Sequence, residues 1–101
     1  RSEDRFFGKV SDPRKNIRSG SIPNSRCLPF TNIIRSDKTF KNIEEIKQIF
    51  NQINPDNNKM LVFSCGSGVS ACILALAYSL VDNKYVPTIY DGSWAEYGKI
   101  E

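Results

Sequence analysis

The sequence predicts an α/β domain in which helices flank a parallel sheet. Apolar residues at steps of three and four predict an amphipathic helix over 43–53. The short apolar run at 60–64 predicts a buried strand, and the run at 86–90 predicts another strand. The nearly continuous apolar stretch 69–82 predicts a helix between them. The order strand, helix, strand is typical of a parallel sheet with a right-handed crossover.

The remaining elements are shorter. The first 25 residues are polar, contain two of the five prolines and are expected to form loops. Residues 26–30 predict a short strand, which Pro29 confines to the edge or end of a sheet, and residues 31–34 predict a turn of helix.

Turn and capping residues mark the element ends in the second half. Residues 37–41 offer capping candidates for the helix over 43–53, and the stretch NPDNN at 54–58 is expected to end it. The turn DGS precedes a last helix expected over 94–97.

Length and composition limit the possible functions. The chain has 101 residues, enough for one domain, with 40% hydrophobic residues and a net charge of +3. The sequence has no basic stripe with interleaved aromatics of the kind that would predict nucleic-acid binding. No apolar run in it reaches the roughly 18 residues of a membrane helix. The sequence contains no histidine and no C-x-x-C, which argues against a zinc site. Three cysteines cannot all pair internally, so we expect a reducing compartment and a cytoplasmic protein.

The stretch CGSGVSAC at 65–72 is the main candidate site. Cys65 follows the predicted strand 60–64 and precedes a helix, and ligands of parallel sheets bind beyond the carboxyl ends of the strands. Gly66 and Gly68 allow successive backbone N–H groups to point inward, and the helix N-terminus adds partial positive charge. Both effects favour thiolate, so we expect a lowered pKa for Cys65. The alternative is an inert cysteine beside a helix cap formed by Ser67 or Ser70.

The neighbouring residues exclude several kinds of cysteine or phosphate chemistry. Phosphatase loops of the tyrosine-phosphatase type carry an arginine six places after the cysteine, where this chain has Ala71. A papain-like mechanism needs a histidine, and a P-loop needs G-x-x-x-x-G-K-[ST]; the sequence has neither. A thiolate activated by backbone dipoles remains, and it suits sulfur transfer through a persulfide. Cys72, within the apolar stretch, is expected to act as a small hydrophobe.

Three segments resemble one family. The loop CGSGVSAC resembles the active-site loop C-G-[ST]-G-V-[ST]-A-C of the 3-mercaptopyruvate sulfurtransferases of the rhodanese superfamily. IRSGSIPNSRCLPF at 17–30 resembles the family segment G-H-I-P-G-A-x-x-x-P-F, with departures at Ser21 and Asn24. IYDGSWAEYG at 89–98 resembles the segment L-Y-D-G-S-W-x-E-W-G. With RFFG and DPR near the start, the resemblance extends over nearly the whole chain.

The resemblance implies roles for individual residues. Cys65 matches the sulfur-carrying nucleophile, and Ser67 matches a serine thought to assist proton transfer. Arg5 and Arg14 match two arginines that bind the carboxylate and carbonyl of mercaptopyruvate, a role that suits the guanidinium fork. The other loop positions are expected to contact the substrate; they are Gly66, Gly68, Val69 and Ser70.

The resemblance also implies an activity and partners. It implies transfer of sulfane sulfur from a small anionic donor to a thiol, thioredoxin or cyanide, without a metal or organic cofactor. Basic residues within the loop are usual in the thiosulfate-using branch, and Gly66 and Ser67 stand there instead, which favours mercaptopyruvate as donor. A thiosulfate sulfurtransferase and a non-catalytic interaction module remain the alternatives. Family enzymes usually have two such domains and a sheet strand before the segment matching Arg1, so we expect residues 1–101 to be a catalytic domain truncated at its N-terminus, with a preceding domain as its partner.

Overall fold

The computed structural model describes residues 1–55 and 60–100 and contains four short α-helices and a 3-10 turn in those ranges. In chain order they are α1 (Glu3–Phe6), the 3-10 turn (Phe30–Asn32), α2 (Ile43–Ile53), α3 (Ala71–Val81) and α4 (Ser93–Tyr97). Within these residues, none of the helices has the length and apolar character needed to cross a membrane. The 3-10 turn agrees with the helical turn expected over 31–34, starting one residue earlier.

Helix α2 has the bounds that its periodicity predicts. Its N-terminus is a capping box in which the Asn42 side chain accepts from the Glu45 amide at 2.9 Å. The N-cap is therefore one residue beyond the stretch 37–41, where it was expected. Ile46 and Phe50 are its buried residues, so the predicted apolar stripe faces the core. The helix ends at Ile53, as expected, and residues 56–59 of the predicted terminating stretch lie outside the described residues.

Helix α3 is slightly shorter than predicted. It begins at Ala71, because Val69 and Ser70 belong to the loop, and it ends before Asp82, whose N–H donates to the Tyr78 carbonyl at 3.0 Å. Its buried side chains occupy one broad face of the helix; they are Ala71, Leu74, Ala75, Ala77 and Tyr78. The periodicity of the sequence is weak there because apolar residues such as Leu76 and Leu80 also stand on the exposed face.

The predicted strands are the main difference between expectation and structure. Segments 26–30, 60–64 and 86–90 form no continuous strands in the described residues; the parallel pairing appears as one bridge between Phe63 and Ile89. Its hydrogen bonds run from Phe63 N–H to the Thr88 carbonyl at 3.0 Å and from Tyr90 N–H to the Phe63 carbonyl at 2.8 Å. These bonds use the backbone N–H and carbonyl of Phe63. A continuous strand would need further hydrogen bonds of this kind at the neighbouring residues. The expected parallel order across a helical crossover is nevertheless confirmed.

The core packs α2 and α3 against the paired segment. Four aromatic rings form its centre, with Phe50 and Tyr78 4.8 Å apart between centroids and Tyr78 and Tyr85 4.7 Å apart. Phe63 lies 6.0 Å from Phe50 and anchors the segment that leads into the loop at residue 65. Aromatic contacts of this kind add to the stabilisation from buried area, so the segment that leads into the loop is anchored in the buried core.

Candidate active site

Backbone hydrogen bonds from the start of α4 hold the backbone around Cys65 in place. The Cys65 carbonyl accepts from the Trp94 amide at 3.0 Å, and the Gly66 carbonyl accepts from the Ala95 amide at 2.9 Å. The Cys65 N–H donates to the Ser93 hydroxyl at 3.0 Å. Both polar backbone groups of Cys65 are therefore satisfied within the protein, and its side chain direction is defined by contacts distant in sequence.

The Cys65 sulfur faces backbone amides, as the glycine pattern predicts. The Gly68 N–H donates to Sγ at 3.0 Å, and the residue is 3% exposed. Burial alone would raise the pKa of Cys65, but hydrogen bonds from the Ser70 hydroxyl and from the amides of Ala71, Ser67 and Gly68 outweigh it and lower the pKa to about 7. A substantial fraction of the sulfur is consequently thiolate at neutral pH.

Each loop glycine has its own steric reason. Gly68 has φ of +97°, and a Cβ there would lie 2.5 Å from the Asp91 carbonyl oxygen. A Cβ on Gly66 would lie 2.6 Å from a guanidinium nitrogen of Arg14. Gly68 allows its amide to turn towards the sulfur, and Gly66 leaves space for Arg14 directly over the loop.

Cys65 opens onto a cavity of about 480 Å³ that carries three arginines. The residues that line the cavity are Arg1, Ser2, Arg5, Arg14, Pro29, Phe30, Thr31, Cys65, Gly66, Ser67, Val69 and Ser70. The structure thus brings together at this cavity the residues singled out in the sequence, apart from Gly68. Gly68 is not among the lining residues and contacts the sulfur through its amide. Arg1 was missed by the sequence reasoning, because no motif marks it.

Asp12 orients the arginine that lies over the loop. Its carboxylate accepts from the Arg14 N–H at 2.9 Å and lies 3.3 Å from Arg14 Nη1, while Arg1 lies 4.0 Å away. The Asp12 side chain is 1% exposed, and a carboxylate so buried needs such partners. Sequence reasoning missed this role. The bond from the Arg14 N–H to Asp12 is an Asx turn, in which an aspartate side chain accepts from the backbone two residues on.

A second cavity, of about 430 Å³, meets the first one at Cys65. Its lining includes the core side chains Leu28, Phe50, Phe63 and Leu74 together with Cys27 and Arg1. Burial raises the pKa of the Cys27 thiol, in contrast to Cys65. Of these two cysteines, Cys65 is the one whose surroundings favour the thiolate.

Cys72 lies differently from expectation. It is exposed in the first turn of α3, and its thiol is 3.5 Å from the Gly68 carbonyl, so it does not pack as a core hydrophobe. Among residues 1–55 and 60–100, no group of three or more histidine, cysteine, aspartate or glutamate residues could hold a metal ion.

Comparisons with known proteins agree on a family. Residues 1–99 match the family described as "Rhodanese-like domain". The chain is 46% identical over 97 residues to "Thiosulfate/3-mercaptopyruvate sulfurtransferase 1, mitochondrial" of Arabidopsis thaliana, which covers 96% of this chain and 25% of that protein. It is 42% identical to the human 3-mercaptopyruvate sulfurtransferase, covering 96% of this chain and 32% of that one.

A solved structure gives the same result at the level of the fold. The crystal structure of Tum1 protein from Saccharomyces cerevisiae superposes with a TM-score of 0.75 at 34% identity, over 96% of this chain and 34% of the other. The chain therefore spans between a quarter and about a third of the length of these three relatives.

Proposed function

Because this chain belongs to the rhodanese-like domain family, we propose that it is a sulfurtransferase domain that carries sulfane sulfur as a persulfide on Cys65. The observation that carries the proposal is the Cys65 sulfur itself, with an amide donor at 3.0 Å, a pKa lowered to about 7 and an adjoining cavity that contains three arginines. Names of similar proteins support the reaction class, since they are called sulfurtransferases.

The proposed donor is 3-mercaptopyruvate. The Cys65 thiolate attacks the donor sulfur, the carbon–sulfur bond breaks, and its electron pair leaves on the methylene carbon of pyruvate enolate. The thiol proton of the donor ends on that carbon, so the products are pyruvate and a Cys65 persulfide anion, with charge conserved. We propose that Ser67, which lines the cavity, passes this proton.

Arg5 and Arg14 are proposed to hold the two oxygen functions of the donor. Both line the cavity beside the loop, and Arg14 lies directly over Gly66. A planar guanidinium binds a carboxylate through two parallel hydrogen bonds, which would orient the donor sulfur towards Cys65. Gly66, Val69 and Ser70 would line the rest of the donor site.

The second half of the cycle returns the thiolate. Cyanide or the thiolate of a small thiol or of thioredoxin attacks the outer sulfur, the sulfur–sulfur bond breaks, and its electrons return to Cys65. The acceptor leaves with one extra sulfur. The loop amides that stabilise the thiolate would also stabilise the negative outer sulfur of the persulfide.

A thiosulfate donor is the second candidate. Two relatives support it by name: the Arabidopsis protein is named for both donors, and a "Thiosulfate sulfurtransferase" of Gallus gallus is 38% identical over 97 residues. Values of kcat/KM for the two donors decide between them. We expect a higher value for mercaptopyruvate, and a clear preference for thiosulfate would contradict the proposed donor.

Intact-protein mass spectrometry tests the persulfide itself. We expect the purified protein to gain the mass of one sulfur atom on treatment with 3-mercaptopyruvate and to lose it on addition of cyanide. Cys65→Ser abolishes the gain, whereas Cys72→Ser, which changes an exposed cysteine of the next helix, retains it. Absence of the gain in the unaltered protein would favour a non-catalytic interaction module, whereas its persistence in Cys65→Ser would contradict the proposed role of Cys65.

A further inference from the structure

Ser93 has an unfavourable backbone conformation and a fully buried side chain. Its φ is +53°, in the left-handed region that residues other than glycine, asparagine and aspartate rarely adopt, and its exposed fraction is 0%. Glycine would occupy this position without the steric penalty. An outlier of this kind supports a hypothesis of function, because the surrounding contacts must outweigh its cost.

The contacts that outweigh it are made by the hydroxyl. Ser93 Oγ donates to the Tyr90 carbonyl at 2.9 Å and accepts from the Cys65 N–H at 3.0 Å. It therefore joins the segment after residue 89 to the residue that bears the sulfur, 28 positions earlier in the chain. The next residue, Trp94, binds the Cys65 carbonyl, so adjacent residues hold both polar backbone groups of Cys65.

We propose that Ser93 is a positioning residue for sulfur transfer, whose hydroxyl fixes the backbone of Cys65 so that the sulfur stays within hydrogen-bond distance of the Gly68 amide. This proposal rests on the proposed function and deepens it. Without the hydroxyl, the buried Cys65 N–H loses its partner, and the residue is expected to rotate or shift to recover one. A small displacement matters here, because the hydrogen bonds to the sulfur depend steeply on distance and angle.

The charged groups around the loop do not change when Ser93 is replaced. They are the guanidinium groups of Arg1, Arg5 and Arg14, which line the cavity next to Cys65, and the Asp91 carboxylate beside Gly68. A change in the ionisation of Cys65 in a Ser93 variant can therefore be attributed to the geometry of the loop.

Ser93→Gly and Ser93→Thr separate positioning from simple structural support. Glycine relieves the backbone strain and removes the hydroxyl, whereas threonine keeps the hydroxyl and increases the strain through its branched Cβ. The readout is the pH dependence of Cys65 alkylation by iodoacetamide, followed by peptide mass spectrometry. The unaltered protein should show a midpoint near 7.

We expect the midpoint of Ser93→Gly to rise by about one pH unit, because displacement of Cys65 weakens the bond from the Gly68 amide to the thiolate. We expect Ser93→Thr to keep the original midpoint despite a lower melting temperature. Ser93→Ala should shift the midpoint in the same direction as glycine, so the result does not depend on one variant folding. Ser79→Gly is the control, because it destabilises α3 at a side chain that bonds only within its own helix.

An unchanged midpoint in Ser93→Gly and Ser93→Ala, or a midpoint that follows melting temperature across all variants, would overturn the proposal. The alkylation assay uses no sulfur donor, so its outcome is independent of the proposed reaction. A protein that forms the persulfide but shows no shift loses only the role of Ser93, and a protein that shows the shift but forms no persulfide loses only the proposed activity.

Discussion

At the scale of single residues, the site depends on buried polar groups that have partners. Asp12 is the clearest case, because its carboxylate is 1% exposed and bonds both the backbone and the side chain of Arg14. A buried carboxylate is stabilised by such charged donors, and in return it restricts the rotamers of the arginine. The position of Arg14 over Gly66 thus depends on a residue that does not line the arginine-containing cavity.

Replacing Asp12 with asparagine should weaken donor binding. The amide keeps the size of the side chain but loses the charge that orients Arg14, so we expect KM for mercaptopyruvate to rise about tenfold, as loss of a charged hydrogen bond of ~1.5 kcal/mol implies. We expect kcat to change little, because the sulfur and its amides are not touched. Steady-state kinetics with Asp37→Asn as control, an exposed aspartate on a separate turn, measures the effect. An equal rise of KM in both variants would contradict this role.

The sequence predicts part of the site at this scale. The reactive sulfur and its glycines could be found because a local stretch, 65–72, contains the nucleophile, the turn and the helix start together. Asp12 and Ser93 could not be assigned their roles, because their partners lie elsewhere in the fold; the Ser93–Cys65 bond spans 28 residues. Local chemistry can be read from a pattern, whereas orientation by distant residues requires the fold.

At the scale of elements, α2, α3 and α4 were predictable from the sequence, whereas the strands and α1 were not. Helix α1 lies within the first 25 residues, which were wrongly expected to form loops throughout. Helix α2 has a single apolar stripe and its own capping residues, so its sequence alone determines its bounds. The expected strands over 60–64 and 86–90 depend on ladder partners, and only Phe63 and Ile89 pair across them. A β-strand is defined by its neighbours, which the sequence of the strand does not contain.

The packing of α3 predicts a contrast between two leucines two positions apart. Leu74 is 5% exposed in the core, and Leu76 is 54% exposed on the same helix. We expect Leu74→Ala to lower the free energy of unfolding by roughly 3 kcal/mol through lost burial and a cavity, and Leu76→Ala to lower it by less than about 1 kcal/mol. Urea denaturation followed by circular dichroism measures both. Similar losses for the two variants would show that α3 packs through a different face.

At the scale of the whole molecule, charge is concentrated where the sulfur opens outward. The net charge of the chain is only +3, yet Arg1, Arg5 and Arg14 all line the cavity next to Cys65. Asp12 offsets part of this charge at Arg14. Clustered charge of one sign in a concave site raises the local concentration of oppositely charged ligands, so the arrangement favours anionic donors before any specific contact forms.

Ionic strength should therefore affect the donor and a neutral reagent differently. Screening lengths fall from about 30 Å at 0.01 M to about 10 Å at 0.1 M salt, so attraction of the mercaptopyruvate anion weakens over this range. We expect kcat/KM for mercaptopyruvate to fall by roughly tenfold, the lower end of the range for electrostatic steering. Alkylation of Cys65 by iodoacetamide, which is uncharged, should change far less at the same pH, because the sulfur is held by short contacts such as the 3.0 Å bond from Gly68. Parallel salt dependence of the two reactions would mean that salt acts on the thiolate itself, and the arginines would then have no steering role.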